Sequence, residues 1–289
     1  MVRHKKHFIT RGEVWFDGGQ SADGADVVEY YHVPQPSHNC RCEDFYTIVF
    51  DLTKDEDSIF NEIRPEGRRQ IRRAMESAEL EYCSWFPAAP EPLEQFFVAY
   101  GRLAAEKRLS ALDRALVQIY AEQSLLDLSC VRKVDGTPIS WHANFRSSEQ
   151  MRVIHSVTFF RGHTGDRNYI GRAHRWHMWR DMQRAKSASI PVFDLGGWYQ
   201  GTEDAELLRV NAFKESFGGT VVRRFICERG TTLKGKLYLA LRNVFHEGPL
   251  NAVGHNGSRG DISPSRVDTN AVGATLVPGL ASPLEGNHG

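Results

Sequence analysis

The sequence lacks any apolar run that approaches the roughly 18 residues of a membrane-spanning helix. Its first ten residues are basic but hold only one short apolar step, Phe8-Ile9, so they do not resemble a secretory signal. It also lacks an excess charge, because 36 Lys and Arg balance 36 Asp and Glu. This balance disfavours a protein that binds nucleic acid over its whole surface, and we expect no DNA partner, but it leaves room for a local basic patch.

Cysteine is scarce: the sequence has five cysteines, an odd number, at irregular spacing. A reducing, cytoplasmic compartment is therefore the simplest expectation. The segment His38-Asn-Cys40-Arg-Cys42 offers three ligand types without a matching second pair, and His174 and His177 lack the His-Glu-x-x-His pattern. We therefore expect no metal site.

Three widespread motifs are absent from the sequence. There is no Gly-x-Ser-x-Gly elbow, no Walker A loop and no Gly-x-Gly-x-x-Gly fingerprint. Their absence argues against an elbow-type serine hydrolase, a P-loop NTPase and a Rossmann dehydrogenase. What remains is a chain of 289 residues, 41% of them hydrophobic, which is enough for a sizeable core.

Composition divides the chain into three parts. Residues 246–289 have no aromatic residue and are rich in Gly, Pro, Ser and Asn, which predicts a disordered tail. Residues 1–44 are interpreted as an N-terminal extension of short strands and loops. Residues 45–245 form the main domain, in which strands and helices alternate.

Within the main domain, Phe45–Leu52 is typical of a strand, and a helical segment follows from Thr53 to about Ala78. Three strands in close succession between residues 126 and 160 predict an antiparallel meander. A helix over 169–186 follows, and then strand, helix and strand, with Thr202 as the expected cap of the second helix. The order predicts a mixed α/β fold with a mostly antiparallel sheet and helices on both faces.

The first candidate site is the segment Asn168-x-x-Gly171-x-Ala173, which we place in a turn that opens a helix. Free backbone N–H groups there, together with the helix dipole, favour phosphate binding. Arg167 and Arg172 flank the segment and would add charge-assisted contacts. The alternative is an ordinary turn whose glycine serves only the backbone.

The second candidate site is the end of an apolar strand at Asp194. Its carboxylate would bind an amine or assist proton transfer, or alternatively cap a neighbouring loop. Gly196 and Gly197 allow a ligand to approach the backbone closely, and Tyr199 completes a candidate substrate-binding segment.

Two further residues are candidates for catalysis. Lys214 lies on an otherwise mostly apolar face of a helix, and its ammonium would neutralise the charge of an oxyanion or a phosphate. The alternative is that its aliphatic stem covers apolar surface while the ammonium reaches solvent. His155 would act as a general base, or it is a hydrogen-bonded core histidine.

An arginine cluster lies in the segment that follows the first strand of the main domain. Arg69 and Arg73 share a helical face and would bind the phosphates of a nucleotide sugar or an RNA. The alternative is a solvated helix face.

Four segments together carry a resemblance to a known family. They are Arg68–Ala74, Val134–Ile139, Asn168–Ala173, and Phe193-Asp194-Leu195-Gly196-Gly197 followed by Phe213-Lys214-x-x-Phe217-Gly218-Gly219. In this order they make residues 45–245 similar to the GNAT superfamily of N-acyltransferases. More specifically, the chain resembles the Fem-type aminoacyltransferases of peptidoglycan synthesis and related acetyltransferase-like proteins.

The resemblance implies a reaction and its participants. The acyl donor would lie in a splayed notch between two strands, with its phosphates on the Asn168–Ala173 segment. The donor would be acetyl-CoA or aminoacyl-tRNA, the latter making tRNA a partner. A Phe-Lys pair is tied to the chemistry of Fem-type relatives, so Lys214 would stabilise charge. The acceptor would be a primary amine, such as an amino sugar of a surface-polysaccharide pathway.

Two hypotheses follow from these observations. In the first, an amine attacks the activated acyl group directly, Asp194 or His155 takes up its proton, and Lys214 stabilises the oxyanion. In the second, the chain is a catalytically silent GNAT-like module that binds a phosphorylated ligand. Sustained turnover distinguishes the two.

Overall fold

The computed structural model describes residues 1–6, 8–16, 24–107, 109–159 and 167–245. Ten strands form one sheet in the order β1-β2-β3-β10-β4-β9-β8-β7-β6-β5. The strands are β1 (Val2–Lys6), β2 (Ile9–Trp15), β3 (Val27–Val33), β4 (Arg41–Asp51), β5 (Leu80–Trp85), β6 (Leu126–Lys133), β7 (Pro138–Arg146), β8 (Gln150–Thr158), β9 (Val192–Gly197) and β10 (Thr220–Gly230). In this part of the chain β2–β3 and β8–β9 are parallel neighbours, and the other neighbours are antiparallel. The expected mixed, mostly antiparallel sheet is confirmed.

Seven helices are described. They are α1 (Glu56–Glu62), α2 (Pro65–Met75), α3 (Pro90–Lys107), α4 (Arg114–Glu122), α5 (Arg167–Ser187), α6 (Ala205–Glu215) and α7 (Leu233–Phe245). Helices α3 and α4 pack with β6, β7 and β8 in one apolar cluster, while α1, α2, α5 and α6 pack with β4, β8 and β9 in another. None of the described helices is both long and apolar enough to cross a bilayer.

The helical segment expected from Thr53 to Ala78 is two helices. Asp55 caps α1, with its side chain accepting a hydrogen bond from the amide of Ser58. The chain turns extended at Ile63, and Pro65 begins α2. Proline disfavours helical geometry in the residue before it and suits a first helical position, so Pro65 separates the two helices.

A second correction concerns α6. Asp204, not Thr202, is its cap, and the Asp204 carboxylate accepts hydrogen bonds from the amides of Glu206 and Leu207. Leu207 and Val210 are buried as the helical stripe predicts.

The N-terminal residues belong to the same sheet as the main domain. Strand β10 lies between β3 and β4, so β1–β3 extend the sheet beyond the last strand of the chain. Cys42 of β4 and Cys227 of β10 stand opposite each other and are joined by a disulfide. This bridge was not expected, because the odd number and irregular spacing of the five cysteines indicated a reducing compartment. The predicted tail, 246–289, lies outside the described residues.

Candidate active site

Strands β8 and β9 are parallel neighbours whose pairing is brief. The ladder pairs Gln150 with Val192, Met151 with Phe193 and Arg152 with Asp194, and then ends. Both strands continue, β8 to Thr158 and β9 to Gly197. Beyond the last pair the two strands no longer pair with each other, and we call the region between their unpaired ends the β8–β9 notch.

Gly196 forms the wall of the notch on the β9 side. Its φ of +87° lies in the left-handed region, where glycine has no steric penalty. A Cβ built on Gly196 would lie 3.6 Å from the Lys214 Nζ, 3.6 Å from the Val153 carbonyl oxygen and 3.7 Å from an Arg152 guanidinium nitrogen. The glycine is therefore required by its backbone conformation, and two cations converge on the space beside it.

Asp194 fixes the backbone of this wall. Its side chain is fully buried, and its Oδ1 accepts hydrogen bonds from the Gly196 amide (2.7 Å) and the Thr47 hydroxyl (2.5 Å). Its Oδ2 accepts from Arg152 (2.7 Å) and Gln150 (3.0 Å). With donors on both oxygens, the geometry favours Asp194 as a support for the notch over its expected role as proton acceptor.

Lys214 reaches the notch from α6. Its half-buried ammonium donates a hydrogen bond of 2.8 Å to the carbonyl of Gly197. Asn211, one turn earlier, bonds the backbone of Tyr199 twice, to its amide and its carbonyl, and so clamps α6 to the chain after β9. The structure thus brings Lys214, Gly196, Gly197 and Tyr199 together, as the sequence predicts for one site.

His155 lies elsewhere. It is buried against α3, with its ring centroid 5.3 Å from that of Tyr100 and 6.3 Å from that of Phe96. The next residue, Ser156, points to the opposite face of the sheet, where its hydroxyl lies 3.4 Å from His174 of α5. The position of His155 among aromatic rings favours the core-histidine alternative.

The expected donor turn is helical over its described length. Helix α5 begins at Arg167, so Asn168, Gly171, Arg172 and Ala173 are helix residues, not turn residues. Ala173 is fully buried against Val131, Ile139 and Ile170, whereas Asn168 is exposed. A phosphate that binds here would meet the first turn of α5, because the first four amides of a helix have no helical partner.

The arginine cluster disperses over α2. Exposed Arg69 is paired with Glu66 through two 2.8 Å contacts, and Arg73 is also exposed. Arg68 donates instead to the carbonyls of Asn61 and Ile63 at the end of α1. Arg69 and Arg73 remain candidates for contact with a large phosphorylated ligand at the surface.

A polar layer between α5 and the sheet was missed as a site by sequence reasoning. Its members are buried: Ser129 of β6, Ser140 and His142 of β7, and His174, His177 and Asp181 of α5. The signal lies in alternate polar residues on β7 and in polar residues spaced three and four apart on α5, which face each other only once the elements pack.

Hydrogen bonds connect this layer. His142 Nδ1 lies 2.7 Å from Asp181 Oδ2, and His142 Nε2 lies 3.1 Å from His174 Nε2. Burial, together with the nearby His142 and Arg175, lowers the pKa of His174 well below its usual range. Burial raises the pKa of a carboxyl, but at Asp181 the neighbouring His177 and the hydrogen bonds from His142 and Tyr82 outweigh this effect and lower it.

Three members of the same layer lie close enough together to be considered as metal ligands. Ligand atoms of His142, His177 and Asp181 lie within 4.8 Å of one another. However, the ring nitrogens of His177 lie 2.8 Å and 2.7 Å from the hydroxyls of Ser129 and Ser140, and His142 is bonded directly to Asp181. The candidate ligand atoms are therefore already engaged in hydrogen bonds, so the residues fit a hydrogen-bonded network better than a metal site.

Comparison with known proteins establishes the fold. No protein-family model matches the sequence, and no curated protein matches it. The crystal structure of FemX is similar with a TM-score of 0.56 at 12% identity, covering 76% of this chain and 75% of FemX. The C-terminal domain of a putative lysylphosphatidylglycerol synthetase from Agrobacterium fabrum gives 0.48 at 14% identity, covering 75% of this chain and 72% of that one.

A third similar structure is N-myristoyltransferase from Saccharomyces cerevisiae with bound myristoyl-CoA. Its TM-score is 0.36 at 15% identity, covering 71% of this chain and 51% of that one. The likeness to FemX shows a shared fold. The expected GNAT-like fold of the Fem type is thereby confirmed.

Proposed function

We propose that this chain is an N-acyltransferase, which moves an acyl group from an activated donor to a primary amine. The observation that carries the proposal is the position of Lys214 at the β8–β9 notch. The notch begins where the ladder ends at Arg152 and Asp194, and the Lys214 ammonium lies beside Gly196 and Gly197 at its wall.

The role of Lys214 follows from charge. When an amine attacks an acyl carbonyl, negative charge develops on the carbonyl oxygen, and a positioned cation stabilises that charge more than it stabilises the uncharged substrate. The ammonium donates a hydrogen bond to the Gly197 carbonyl, which holds its positive charge at the wall of the notch where the oxyanion would form. Direct attack within the notch needs no enzyme-bound intermediate, and orientation supplies much of the rate.

The donor is proposed to be acetyl-CoA or aminoacyl-tRNA. Either carries phosphates, for which the first turn of α5 and the exposed Arg69 and Arg73 are the proposed contacts. Thermal unfolding with each donor separates them, since a ligand at 100 times its Kd stabilises by about 2.7 kcal/mol. A shift with acetyl-CoA supports that donor, and a salt-sensitive shift with tRNA supports the other.

The acceptor is proposed to be a primary amine, with amino sugars of surface polysaccharides as the class to screen first. Transfer is measured with the donor identified above and a panel of amino sugars, amino acids and polyamines. Sustained transfer to any of them excludes a silent binding module. A chain that binds a donor and transfers nothing to the panel contradicts the proposal and supports that module.

The decisive variant is Lys214→Ala. Loss of one oxyanion donor typically lowers turnover on the order of 100- to 1,000-fold. Lys186→Ala is the matched control, because the Lys186 ammonium also bonds backbone carbonyls, those of Leu52 and Lys54, outside the notch. Equal turnover of the two variants would contradict the role of Lys214.

A further inference from the structure

The polar layer under α5 contains a chain of proton carriers that the proposed function does not yet use. Asp181 lies at one end, where its Oδ1 accepts a hydrogen bond of 2.8 Å from the Tyr82 hydroxyl. Its Oδ2 is bonded to His142, which in turn is bonded to His174. All three members of this chain, Asp181, His142 and His174, are at least 98% buried.

The carboxylate fixes which nitrogens carry hydrogen. An ionised Asp181 is an acceptor only, so His142 must carry its proton on Nδ1. With both imidazoles neutral, His142 Nε2 is then a lone pair, and His174, 3.1 Å away, must donate from its own Nε2. The remaining nitrogen, His174 Nδ1, is therefore an acceptor.

That acceptor has no hydrogen-bond partner among the described residues, although it is buried. Leaving such a buried group unpaired is unfavourable, so a donor is expected to fill the position. The other groups of the layer hold the chain in place. His177 stacks on His142 with ring centroids 3.7 Å apart, and both nitrogens of His177 are bonded to serine hydroxyls.

The ring of His174 lies between two elements that also form the proposed active site. The His174 ring stacks on Phe213, with centroids 5.3 Å apart and planes 7° from parallel, and Phe213 directly precedes Lys214. On the strand side His174 meets Ser156 of β8, past the point where β8 and β9 stop pairing. His174 therefore lies between β8 and the helix that carries the lysine.

We propose that His174 is the proton acceptor for the amine nucleophile, and that His142 and Asp181 are positioning residues that set its tautomer and take on its charge. This proposal rests on the proposed acyltransferase function. It replaces Asp194 and His155, whose contacts leave them poorly placed for the same task.

The proton balance is complete within these residues. As the amine nitrogen bonds to the acyl carbon, its proton passes to His174 Nδ1, and the Nε2 proton of His174 passes to His142. The resulting imidazolium of His142 is paired with the Asp181 carboxylate. The acyl carbon loses its bond to the donor's sulfur or oxygen, and the leaving group takes the proton when the relay returns to its starting state.

The surroundings of His174 favour its neutral form over its charged form. Burial lowers its pKa, as do His142 from β7 and Arg175 from α5, while Asp181 acts in the opposite direction. From α6 it faces Phe213, with the Lys214 cation one residue further on, and from β8 the uncharged Ser156. A neutral imidazole, free to accept a proton, is the form that this environment favours.

The first test needs no substrate. Histidine labelled with ¹⁵N in the full chain reports which ring nitrogen carries hydrogen, with His174→Gln and His142→Gln used for assignment. We expect hydrogen on Nε2 of His174 and on Nδ1 of His142. Hydrogen on Nδ1 of a neutral His174 would overturn the proposal whether or not the chain is an acyltransferase.

The second test is kinetic. His174→Gln is expected to lower kcat by about 100- to 10,000-fold, the usual contribution of a positioned base, with little change in KM. Asp181→Asn is expected to shift the acidic limb of the pH–rate profile. Lys186→Ala is the control and should keep both kcat and the pH profile, because Lys186 lies on the same helix as His174 but bonds the carbonyls of Leu52 and Lys54 outside the polar layer.

The outcomes separate the two proposals. If wild-type protein transfers acyl groups and His174→Gln does so within a few-fold of it, the relay is wrong and the proposed function stands. If the wild-type protein transfers nothing, both fail.

Discussion

Arg152 and Asp194 stand directly opposite each other at the last rung of the β8–β9 ladder, joined by an ion pair of 2.7 Å, with both side chains almost fully buried. This pair marks the place where the pairing of the two parallel strands ends. Asp194 also accepts hydrogen bonds from the Gly196 amide and the Thr47 hydroxyl. One carboxylate therefore connects Arg152 of β8 with Gly196, which forms the wall of the β8–β9 notch.

Removing one member of this pair should be costly. Asp194→Asn or Arg152→Met leaves a buried charge without its partner, which typically costs about 3–5 kcal/mol. The free energy of unfolding in urea measures the loss. Arg223→Ala, which breaks the exposed pair with Asp44, serves as the control and should cost about 0–1 kcal/mol. Equal losses for the buried and the exposed pair would contradict this account.

Two glycine substitutions should have opposite signs. Gly196→Ala forces a side chain into the left-handed region and should destabilise the fold by about 1–2 kcal/mol. Gly101→Ala, in the exposed interior of α3 with no atom within 4 Å of the added carbon, should stabilise by about 0.5–1 kcal/mol. Thermal unfolding of both variants checks the pair, and the same sign for both would refute the argument.

Acid should destabilise the fold before most carboxylates titrate. Burial lowers the pKa of His32, His174 and His177 below the usual 6.5. Below about pH 6.5 the unfolded chain binds protons that the folded chain does not, so stability falls as pH falls, by about 1.4 kcal/mol per pH unit for each histidine. Burial raises the pKa of Asp127 to about 6, so below that pH the folded chain binds one proton that the unfolded chain does not. This proton partly offsets the loss of stability caused by the histidines.

The net expectation is therefore a loss of stability between pH 6.5 and 5. Urea unfolding at three pH values in this range measures how the free energy of unfolding changes with pH. His177→Gln should make this dependence weaker, because the unfolded chain then binds one proton fewer. A slope that is flat or of opposite sign would show that the histidines are not neutral in the folded state.

The pairing of Cys42 with Cys227 predicts a simple thiol count. Under denaturing conditions without reductant, three cysteines should react with a thiol reagent, namely Cys40, Cys83 and Cys130. All five should react after reduction. Because the bridge joins positions 185 residues apart, its removal by Cys42→Ser with Cys227→Ser should cost about 2–5 kcal/mol. Five reactive thiols before reduction would exclude the bridge.

Sequence patterns predict the middle of the chain well, because periodicity reports which face of an element is buried. The meander, the strand that contains Asp194 and the stripe that contains Lys214 all follow from local order. The fold of residues 27–33 does not, since β3 is buried along its whole length and so shows no alternation. Pro65, in contrast, carried a local signal for the break between α1 and α2.

The candidate site likewise contains residues that the sequence pattern predicts and residues that only the packing of the elements brings together. Lys214, Gly196 and Gly197 lie close in sequence and were predicted together. The relay joins Asp181, His142 and His174, which meet only when α5 packs on β7, so no spacing rule could assemble it. Sequence reasoning weighed His174 only as a metal ligand, because a lone histidine on a helix does not show which residue its ring nitrogens will face.

The place of β10 in the sheet constrains how the chain is built during synthesis. Strand β3 ends at Val33, whereas β10, which lies between β3 and β4 in the sheet, ends at Gly230. The ribosome must release almost the whole described chain before the first three strands can dock on it. Until then their edge is uncovered, and such edges attract other chains. Strands β1–β3 therefore expose an unpaired edge to other chains until β10 has been synthesised.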